Sequence, residues 1–474
     1  QSGASFRKRR VMVPFFLMLR SAKVIAALCL TTAASAAPPN ILFILADDHG
    51  FGALSATGAK GLQTPNIDRL RHEGMQFTDF YVHNRCSPTR LAFMTGSDAN
   101  RAGYDQVIYR KSMIGIHEDE ITTPELLRQA GYATGIVGKW HLGEYEEFNP
   151  VNHGFDSFFG FMKFEGESSA IYRNKEMIEK AGKKTDGAHS EKLRNAGMEF
   201  IRQNKDRPFF LYYASPLPHT PWIPSERFKG SSELGAYGDV MHDLDWQVGG
   251  LLDTLDELDL TDDTLVIYTA DNGPQLGIGG EDHSSGIYRD GKWTNFEGGI
   301  RVPCFMRWPG TIAANSTNHE ITKIYDLLPT FCELTKIPSP SDRLIDGRSL
   351  LPYILGKEVD PPIHESFLVN GSTFRYQHWK LFRKRITPGG QEKYWGPRTP
   401  TDEGSLYHLK DDPSETHDVS QRHPEIVQEL SRRMDLAMDE LAQNSRPIGK
   451  TADYSLEKVA EMRQKKERKS KEKQ

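Results

Sequence analysis

Cysteine, strong net charge and long apolar runs are all scarce in this sequence of 474 residues. Four cysteines are too few for a disulfide-rich fold, and a formal charge of −5 gives no global signal for nucleic-acid binding. The apolar stretch at residues 24–30 is too short to cross a bilayer as a helix, so we expect no stable membrane insertion. With 38% hydrophobic and 26% charged residues, the composition is typical of a globular protein.

The first residues follow the pattern of an export signal. Arg20 and Lys23 form a basic region, a short apolar stretch follows, and the Ala-Ser-Ala sequence at residues 34–36 is a small-residue cleavage site. We therefore predict that residues 1–36 are a signal peptide with an upstream extension, with Met18 as one candidate for the start. The mature protein is expected to be exported, either periplasmic or secreted.

Four apolar runs of strand length each end in polar residues. Strands buried on both faces of a parallel sheet are continuously apolar in this way, and helical patterns such as TPELLRQAGY lie between the runs. This alternation predicts an α/β fold with a mostly parallel central sheet flanked by helices. Ligands bind such sheets beyond the carboxyl ends of the strands, so we expect the polar residues to share one rim. They are Asp47 and Asp48, Lys139 and His141, His219, and Asp271 and Asn272.

The pattern changes near residue 356. We expect a large domain at 37–356, a smaller C-terminal α+β domain at 357–447, and a charged tail at 448–474. In the smaller domain Asn370-Gly371 is a hairpin signal that joins two predicted strands. One further strand and an amphipathic helix follow it.

The carboxylates at two of the strand ends suit a metal ion. Asp47, Asp48, Asp271 and Asn272 offer only oxygen ligands, which hard cations such as Ca²⁺ prefer. Taken one pair at a time, these residue types are also typical of turns. The two pairs together favour a single Ca²⁺ site.

The basic residues nearby are weaker signals when each is taken singly. Lys139 and His141 lie two apart, so in an extended segment they would share a face. His219 lies in a proline-rich loop, and Lys292 precedes a glycine pair that permits close backbone approach. Each is equally consistent with an ordinary surface residue.

Cys86 stands where a cysteine has no structural reason to be. After signal cleavage three cysteines remain, and Cys304 and Cys332 lie in apolar runs that predict buried core positions. Cys86 instead begins a helical pattern, with Pro88 in the first turn and Arg90 two residues after it. The free N–H groups of a helix start and the arginine fork suit an oxyanion, and we expect them to lower the pKa of the thiol.

The sequence from Cys86 to Arg90, followed by Leu91 and Thr95-Gly96, resembles the signature of the type I, formylglycine-dependent sulfatases. The pattern is closest to the arylsulfatase A and N-acetylgalactosamine-6-sulfatase branch. The resemblance implies an alkaline-phosphatase-like fold whose catalytic domain is the segment 37–356. It is carried in chain order by ILFILADD, TPNIDRL, GYATGIVGKWHLG, HGFDSFFG, PFFLYYASPLPHTPW, VIYTADNG, GKWTNFEGGIRVP, DLLPTF, DGRSLLPYILG and LYHLKDDPSE.

The resemblance also implies roles for single residues. A maturation enzyme, the formylglycine-generating enzyme, would oxidise Cys86 to 3-oxoalanine (formylglycine), whose hydrate is the nucleophile and also a metal ligand. Arg90 would link the hydrate to the metal. Lys139, His219 and Lys292 would bind the sulfate of a sulfated small molecule or glycan, with His141 as a further acid/base residue. The Ca²⁺ ligands would be Asp47, Asp48, Asp271 and Asn272.

Two departures and two alternatives accompany this interpretation. Ser97 stands where the family often has arginine, and no serine in FMKFEGESS can be matched to a sulfate-contacting serine of some relatives. A phosphate or phosphonate monoester hydrolase of the same superfamily would use the same nucleophile. A protein that only binds sulfated glycans would keep the site without turnover. The identity of the sulfated substrate is not readable from the loops at 97–118, 161–190 and 274–291.

Overall fold

The computed structural model describes residues 38–163, 169–181, 187–277, 285–384, 402–459 and 461. The predicted signal peptide and the basic run at 463–474 lie outside these residues. The strands are β1 Asn40–Ala46, β2 Met75–Phe77, β3 Phe80–Tyr81, β4 Ile114–Gly115, β5 Ala133–Lys139, β6 Ser157–Phe161, β7 Ile171–Arg173, β8 Glu176–Glu179, β9 Phe209–Ala214, β10 Thr264–Ala270, β11 Phe305–Arg307, β12 Ser316–Asn318, β13 Thr322–Lys323, β14 Ser366–Val369, β15 Thr373–Tyr376, β16 Trp379–Phe382, β17 Ser405–His408 and β18 Gly449–Lys450.

Nine α-helices lie among the described residues. They are α1 Pro65–Glu73, α2 Cys86–Thr95, α3 Thr123–Gln129, α4 Ala188–Gln203, α5 Gly235–Glu257, α6 Glu297–Ile300, α7 Leu327–Thr335, α8 Leu351–Ile354 and α9 Pro424–Gln443. Within the described part of the chain, no helix is long and apolar enough to span a membrane.

Ten strands form one mixed sheet in the order β12-β2-β11-β10-β1-β9-β5-β6-β7-β8. The five strands from β10 to β6 are parallel to one another, so their carboxyl ends meet at one edge. Ala46 pairs with Ala270, which puts the residues that follow β1 and β10 side by side. The predicted α/β fold with a mostly parallel central sheet is confirmed.

Helices cover both faces of this sheet, which is why the central strands are apolar throughout. Tyr212 and Tyr213 are neighbours on β9 and therefore point to opposite faces. Tyr212 packs against Phe93 of α2, with ring centroids 5.1 Å apart. Tyr213 donates a hydrogen bond to Gln247 of α5 at 2.9 Å. The sheet is thus the middle layer of a three-layer α/β structure.

A smaller antiparallel sheet, β14-β15-β16-β17, follows in the chain and packs against α9. Asn370 and Gly371 both have positive φ, 47° and 61°, as the predicted hairpin turn requires. The prediction of two strands around this turn is wrong in number, because a second turn at Gln377 (φ 50°) divides the latter one into β15 and β16. The helix predicted after them is α9.

The segment predicted to be a charged tail, 448–474, begins with paired structure. Gly449 pairs with Gly115 through the two-stranded sheet β18-β4. The adjacent backbone N–H of Arg446 donates to the carbonyl of Arg101. Residues 446–450 are therefore attached to the larger part of the molecule.

Candidate active site

The acidic residues at the ends of β1 and β10 form one buried group. Asp271 donates its N–H to the carbonyl of Ala46 at 3.0 Å, and its carboxylate accepts the N–H of Asp48 at 3.2 Å. Asn272 donates from its amide nitrogen to Asp48 Oδ1 at 2.8 Å. Asp47 completes the group, and each of the four side chains is at most 3% exposed. The parallel register of β1 and β10 brings them together.

Two oxygen atoms of this group accept no hydrogen bond from the residues that the structure describes. They are the buried Asp47 Oδ1 and Asn272 Oδ1, and such a state is costly for polar atoms unless something else satisfies them. Ligand atoms of Asp47, Asp48, Cys86 and His219 also lie within 4.8 Å of one another. Oxygen donors and a spare lone pair on two of them suit a hard divalent cation. The residues present therefore fit a metal site.

Three buried cations surround the carboxylates. Arg90 reaches Asp271 Oδ2 with Nε at 3.1 Å and Nη2 at 2.8 Å. Lys139 Nζ contacts Asp47 Oδ2, and Lys292 Nζ lies 2.7 Å from Asp48 Oδ1. Three carboxylates thus face three cations, and a divalent metal ion would leave the site with a net positive charge. Such a charge favours an anionic substrate in a site where little water screens it.

The cations control how the carboxylates ionise. Burial opposes ionisation of Asp47, yet Lys139, His219 and Arg90 together hold its pKa well below the usual range. For Asp271 burial prevails, and with the repulsion from Asp47 it raises the pKa to about 7. Burial also opposes the charge of Lys292, but Asp48 raises its pKa above the usual value. Lys292 therefore remains a cation at neutral pH.

Cys86 occupies the first position of α2, as the sequence predicts. All ten residues of the helix are buried, and Cys86 itself is 2% exposed. The expected lowering of its thiol pKa is wrong. Burial raises the pKa of Cys86, and this exceeds the opposing effect of Lys139 and Lys292. An unmodified Cys86 is thus a protonated thiol, which is a poor nucleophile.

Lys139 and His141, at the end of β5, do not share a face of one extended segment as predicted. The strand ends at Lys139, and His141 has a φ of 63°, so the two residues do not belong to one extended segment. The backbone N–H of His141 donates to the carbonyl of Met162 at 2.9 Å. Its imidazole is buried, and neither ring nitrogen has a hydrogen-bond partner within the described part of the chain. Burial, reinforced by Lys139 and Arg90, keeps the pKa of His141 well below its usual range, so the ring is neutral.

His219 follows β9 and approaches the acidic group from the other side of β1. Its Nδ1 lies 2.5 Å from the carbonyl oxygen of Thr220, which fixes Nδ1 as the protonated nitrogen. Its Nε2 lies 3.7 Å from Asp48 Oδ2. The ring therefore presents Nε2 to the site. Burial lowers the pKa of His219, while Asp48 opposes that effect.

The structure adds residues that the sequence did not indicate. Tyr212 lies with its hydroxyl 3.4 Å from Arg90 Nη1, inside a strand that reads only as apolar. Arg90 also donates to the backbone carbonyl of Lys139 at 2.7 Å, which ties α2 to the end of β5. Ser97, the departure from the usual motif, is buried and lies 3.3 Å from the carbonyl oxygen of Leu344. Cys304 and Cys332 are buried, as predicted, and neither forms a disulfide with another described residue.

The profile of the Sulfatase family matches residues 39–337, which include every residue of this site. The chain belongs to the sulfatase family. It is a sulfuric ester hydrolase, and the family resemblance of its sequence is confirmed. A second profile, N-sulphoglucosamine sulphohydrolase C-terminal, matches residues 286–443 of this sulfatase.

Known sulfatases are similar over most of their length. The N-acetylgalactosamine-6-sulfatase of Canis lupus familiaris is 35% identical, with 86% of this chain and 87% of the relative covered. The N-acetylgalactosamine-6-O-sulfatase of Bacteroides thetaiotaomicron is 31% identical, with coverage of 84% and 92%. A solved sulfatase structure from a study of glycosaminoglycan metabolism by the same bacterium superposes with a TM-score of 0.76 at 30% identity. It covers 84% of this chain and 99% of its own. The alkaline-phosphatase-like fold is confirmed.

Proposed function

We propose that this sulfatase releases inorganic sulfate from a sulfated carbohydrate, using a formylglycine made from Cys86 and one Ca²⁺ ion. One observation carries the proposal above the others. Cys86 opens a buried helix beside an acidic group that has two unsatisfied oxygens and three cations. The relatives named as N-acetylgalactosamine-6-sulfatases support a sulfated sugar as the substrate class.

The Ca²⁺ ligands are assigned to Asp47, Asp48, Asp271 and Asn272, together with the modified residue at position 86. The free oxygens of Asp47 and Asn272 support this assignment. Bound Ca²⁺ supplies positive charge for the sulfate group, in addition to that of the protein cations. Arg90 holds Asp271 in place with two nitrogen atoms, and it is positioned to connect the metal ligands with residue 86.

Sulfate recognition is assigned to Lys139, Lys292 and His219. The two lysines are buried and remain anchored to Asp47 and Asp48, so they offer fixed positive charge without reorganisation. Because both act as charges, neither has to give up a proton during the reaction. His219 completes the set, with Nε2 lying 3.7 Å from Asp48 Oδ2 and able to donate to a sulfate oxygen when it is protonated.

A formylglycine hydrate at position 86 would supply a nucleophilic hydroxyl and, through its second hydroxyl, a route for sulfate to leave. Burial leaves an unmodified thiol protonated here, which favours a converted residue over a cysteine nucleophile. His141 is assigned as the base for a hydroxyl at position 86, because its neutral ring has one basic nitrogen and neither ring nitrogen has a partner among the described residues. His219 is assigned as the acid that protonates the leaving oxygen. Because its Nδ1–H already donates to the Thr220 carbonyl, His219 acts in the imidazolium form and transfers the second proton, which is held on Nε2.

Maturation and export complete the proposal. A formylglycine-generating enzyme would convert Cys86, and the segment 1–36 would direct export to the periplasm or out of the cell. The catalytic domain would span 37–356, with the smaller α+β domain at 357–447 and the charged tail at 448–474. The attachment of residues 449–450 to β4 limits the free part of that tail.

The test is a screen of matured protein against defined sulfated mono- and oligosaccharides, with free sulfate as the readout. We expect sulfate release from at least one sulfated sugar, and turnover of nitrophenyl sulfate well above that of nitrophenyl phosphate. A preference for the phosphate ester would identify a phosphate or phosphonate monoester hydrolase instead. Tight binding of a sulfated sugar without any release of sulfate would indicate a glycan-binding protein and contradict the proposal.

A further inference from the structure

A buried ionic cluster, separate from the active site, joins the smaller sheet to the catalytic part of the molecule. It consists of Glu297, Lys380 and Glu415, each of which is fully buried. Lys380 Nζ lies 2.9 Å from Glu297 Oε1 and 2.8 Å from Glu415 Oε1. Ionic groups this deeply buried are expensive to desolvate, and their replacement by apolar residues often does not weaken a fold. Their presence calls for a role other than general stability.

The cluster holds the start of helix α6. Glu415 Oε2 accepts the backbone N–H of Glu297 at 2.6 Å, which is the first N–H of that helix. Tyr81 donates to Glu297 Oε2 at 2.6 Å, and Arg301 reaches the same atom at 3.2 Å. Glu297 is therefore fixed through both its backbone and its side chain.

Helix α6 in turn lies directly against the metal-ligand turn. Gly273 follows Asn272 and donates its N–H to the carbonyl of Gly299 at 3.0 Å. A Cβ atom on Gly273 would lie 1.7 Å from the carbonyl oxygen of Gly298, so the two backbones approach as closely as glycine permits. A displacement of α6 would move Asn272 with it, because no space separates the two segments.

Lys292 lies in the loop that precedes α6. The N–H of Lys292 donates to the carbonyl of Pro274 at 2.9 Å, and the N–H of Gly298 donates to the carbonyl of Arg289 at 2.9 Å. The loop from Arg289 to Gly298 is thus closed on itself and tied to the residues after Asn272. Arg289 also donates from Nη1 to the backbone carbonyl of Glu415. The loop that presents Lys292 is attached to Glu415 at both of its ends.

We propose that Lys380 and Glu415 are positioning residues that act from the C-terminal part of the chain on Lys292 and Asn272. They fix Glu297, Glu297 fixes α6, and α6 fixes both the Lys292 loop and the turn after Asn272. The inference rests on the proposed role of Lys292 in sulfate recognition. Through Lys380 of β16, it gives the smaller sheet a part in catalysis.

Charged groups on every neighbouring element surround Glu415. Lys380 and Glu297 contact its carboxylate, Arg289 contacts its backbone, and Arg375 lies close enough to feel its charge. Burial and the repulsion from Glu297 outweigh Lys380 and raise the pKa of Glu415 to about 7. A neutral amide at this position therefore resembles the protonated form of the native side chain.

The test compares Glu415→Ala with Glu415→Gln in the full-length, matured protein. For Glu415→Ala we expect kcat/KM on nitrophenyl sulfate to fall by about ten- to a hundredfold, as a misplacement near 1 Å can cost. Hydrogen exchange followed by mass spectrometry should show an increase in exchange rate over wild type that is larger in peptides covering 287–300 than elsewhere. Glu415→Gln keeps an acceptor for the Glu297 N–H and should restore most of both properties. If Glu415→Ala does not fold, Glu415→Asp, which shortens the reach to that N–H, carries the same expectation.

Asp245→Ala is the matched control. Asp245 is also a buried carboxylate that accepts N–H groups at a helix start, those of Asn66 and Ile67 at 3.0 and 2.9 Å. Its loss should lower the Tm and leave kcat/KM and the 287–300 peptides unchanged. The proposal is overturned if Glu415→Ala keeps wild-type turnover and exchange, or if Asp245→Ala loses as much turnover at equal Tm. The exchange measurement needs no sulfatase activity, so it tests the positioning role even if the proposed function fails.

Discussion

Replacing Asp271 with alanine tests the metal site through stability. In the metal-free protein the change removes the carboxylate that Arg90 contacts at 2.8 and 3.1 Å and leaves a fully buried guanidinium without its main partner. Breaking a buried ion pair from one side costs about 3–5 kcal/mol. With an unfolding entropy of about 2.1 cal/mol/K per residue, a unit of roughly 440 residues should then lose about 3–6 °C in Tm.

Comparing Tm with and without Ca²⁺ distinguishes the loss of a metal ligand from the loss of an ion pair. At a free Ca²⁺ concentration about 100 times its Kd, binding to the native state alone adds about 2.7 kcal/mol, or roughly 3 °C in Tm for this chain length. We expect wild type to show this rise between EDTA and excess Ca²⁺ in calorimetry, and Asp271→Ala to show almost none. Asp245→Ala, which removes a buried carboxylate away from the site, should keep the full rise. A wild type that does not respond to Ca²⁺, or an equal response in Asp271→Ala, would contradict a Ca²⁺ site that includes Asp271.

Three further predictions concern the leaving group, the sulfate ion and pH. His219→Ala should lose about ten- to a hundredfold more kcat/KM on a sulfated sugar than on nitrophenyl sulfate, because only the sugar alkoxide needs a proton to leave. Equal losses on the two substrates would remove His219 from the acid role. Inorganic sulfate should bind in calorimetry only with Ca²⁺ present, since three carboxylates otherwise balance the charges of Arg90, Lys139 and Lys292; equal binding in EDTA would contradict this charge balance. Burial raises the pKa of Glu415 from 4.5 to about 7, so its ionisation destabilises the fold increasingly as pH rises through that range. The Tm of Glu415→Gln should therefore increase relative to wild type from pH 4.5 to 7, and a constant difference would show that Glu415 does not titrate there.

The parts of the site that follow from strand order were predictable from the sequence. Asp47-Asp48 and Asp271-Asn272 each end an apolar run, and parallel strands deliver their carboxyl ends to one edge. Lys139 and His219 follow from the same argument. Their strands β5 and β9 lie on the far side of β1 from β10, so the four strand ends form one continuous row.

The parts that depend on tertiary burial were not predictable. The lowered thiol pKa expected for Cys86 considers only the helix start and its cations, whereas the folded chain removes the thiol from water almost completely. In the cluster of Glu297, Lys380 and Glu415, Glu297 is 83 positions from Lys380 and 118 positions from Glu415. A local sequence pattern does not predict pairs this far apart. His141 is not extended, because its φ is positive, and its backbone N–H donates to the carbonyl of Met162, a tertiary contact that the local sequence does not show.

The central claim is that turnover depends on a residue made from Cys86. Trypsin releases this position in a short peptide, Cys86 to Arg90, whose conversion exchanges one sulfur and two hydrogens for one oxygen. The decisive measurement is the rate of sulfate release against the converted fraction of this peptide, in preparations made with graded amounts of the formylglycine-generating enzyme. We predict a straight line through the origin. Appreciable sulfate release from protein in which Cys86 is entirely unconverted would contradict the account.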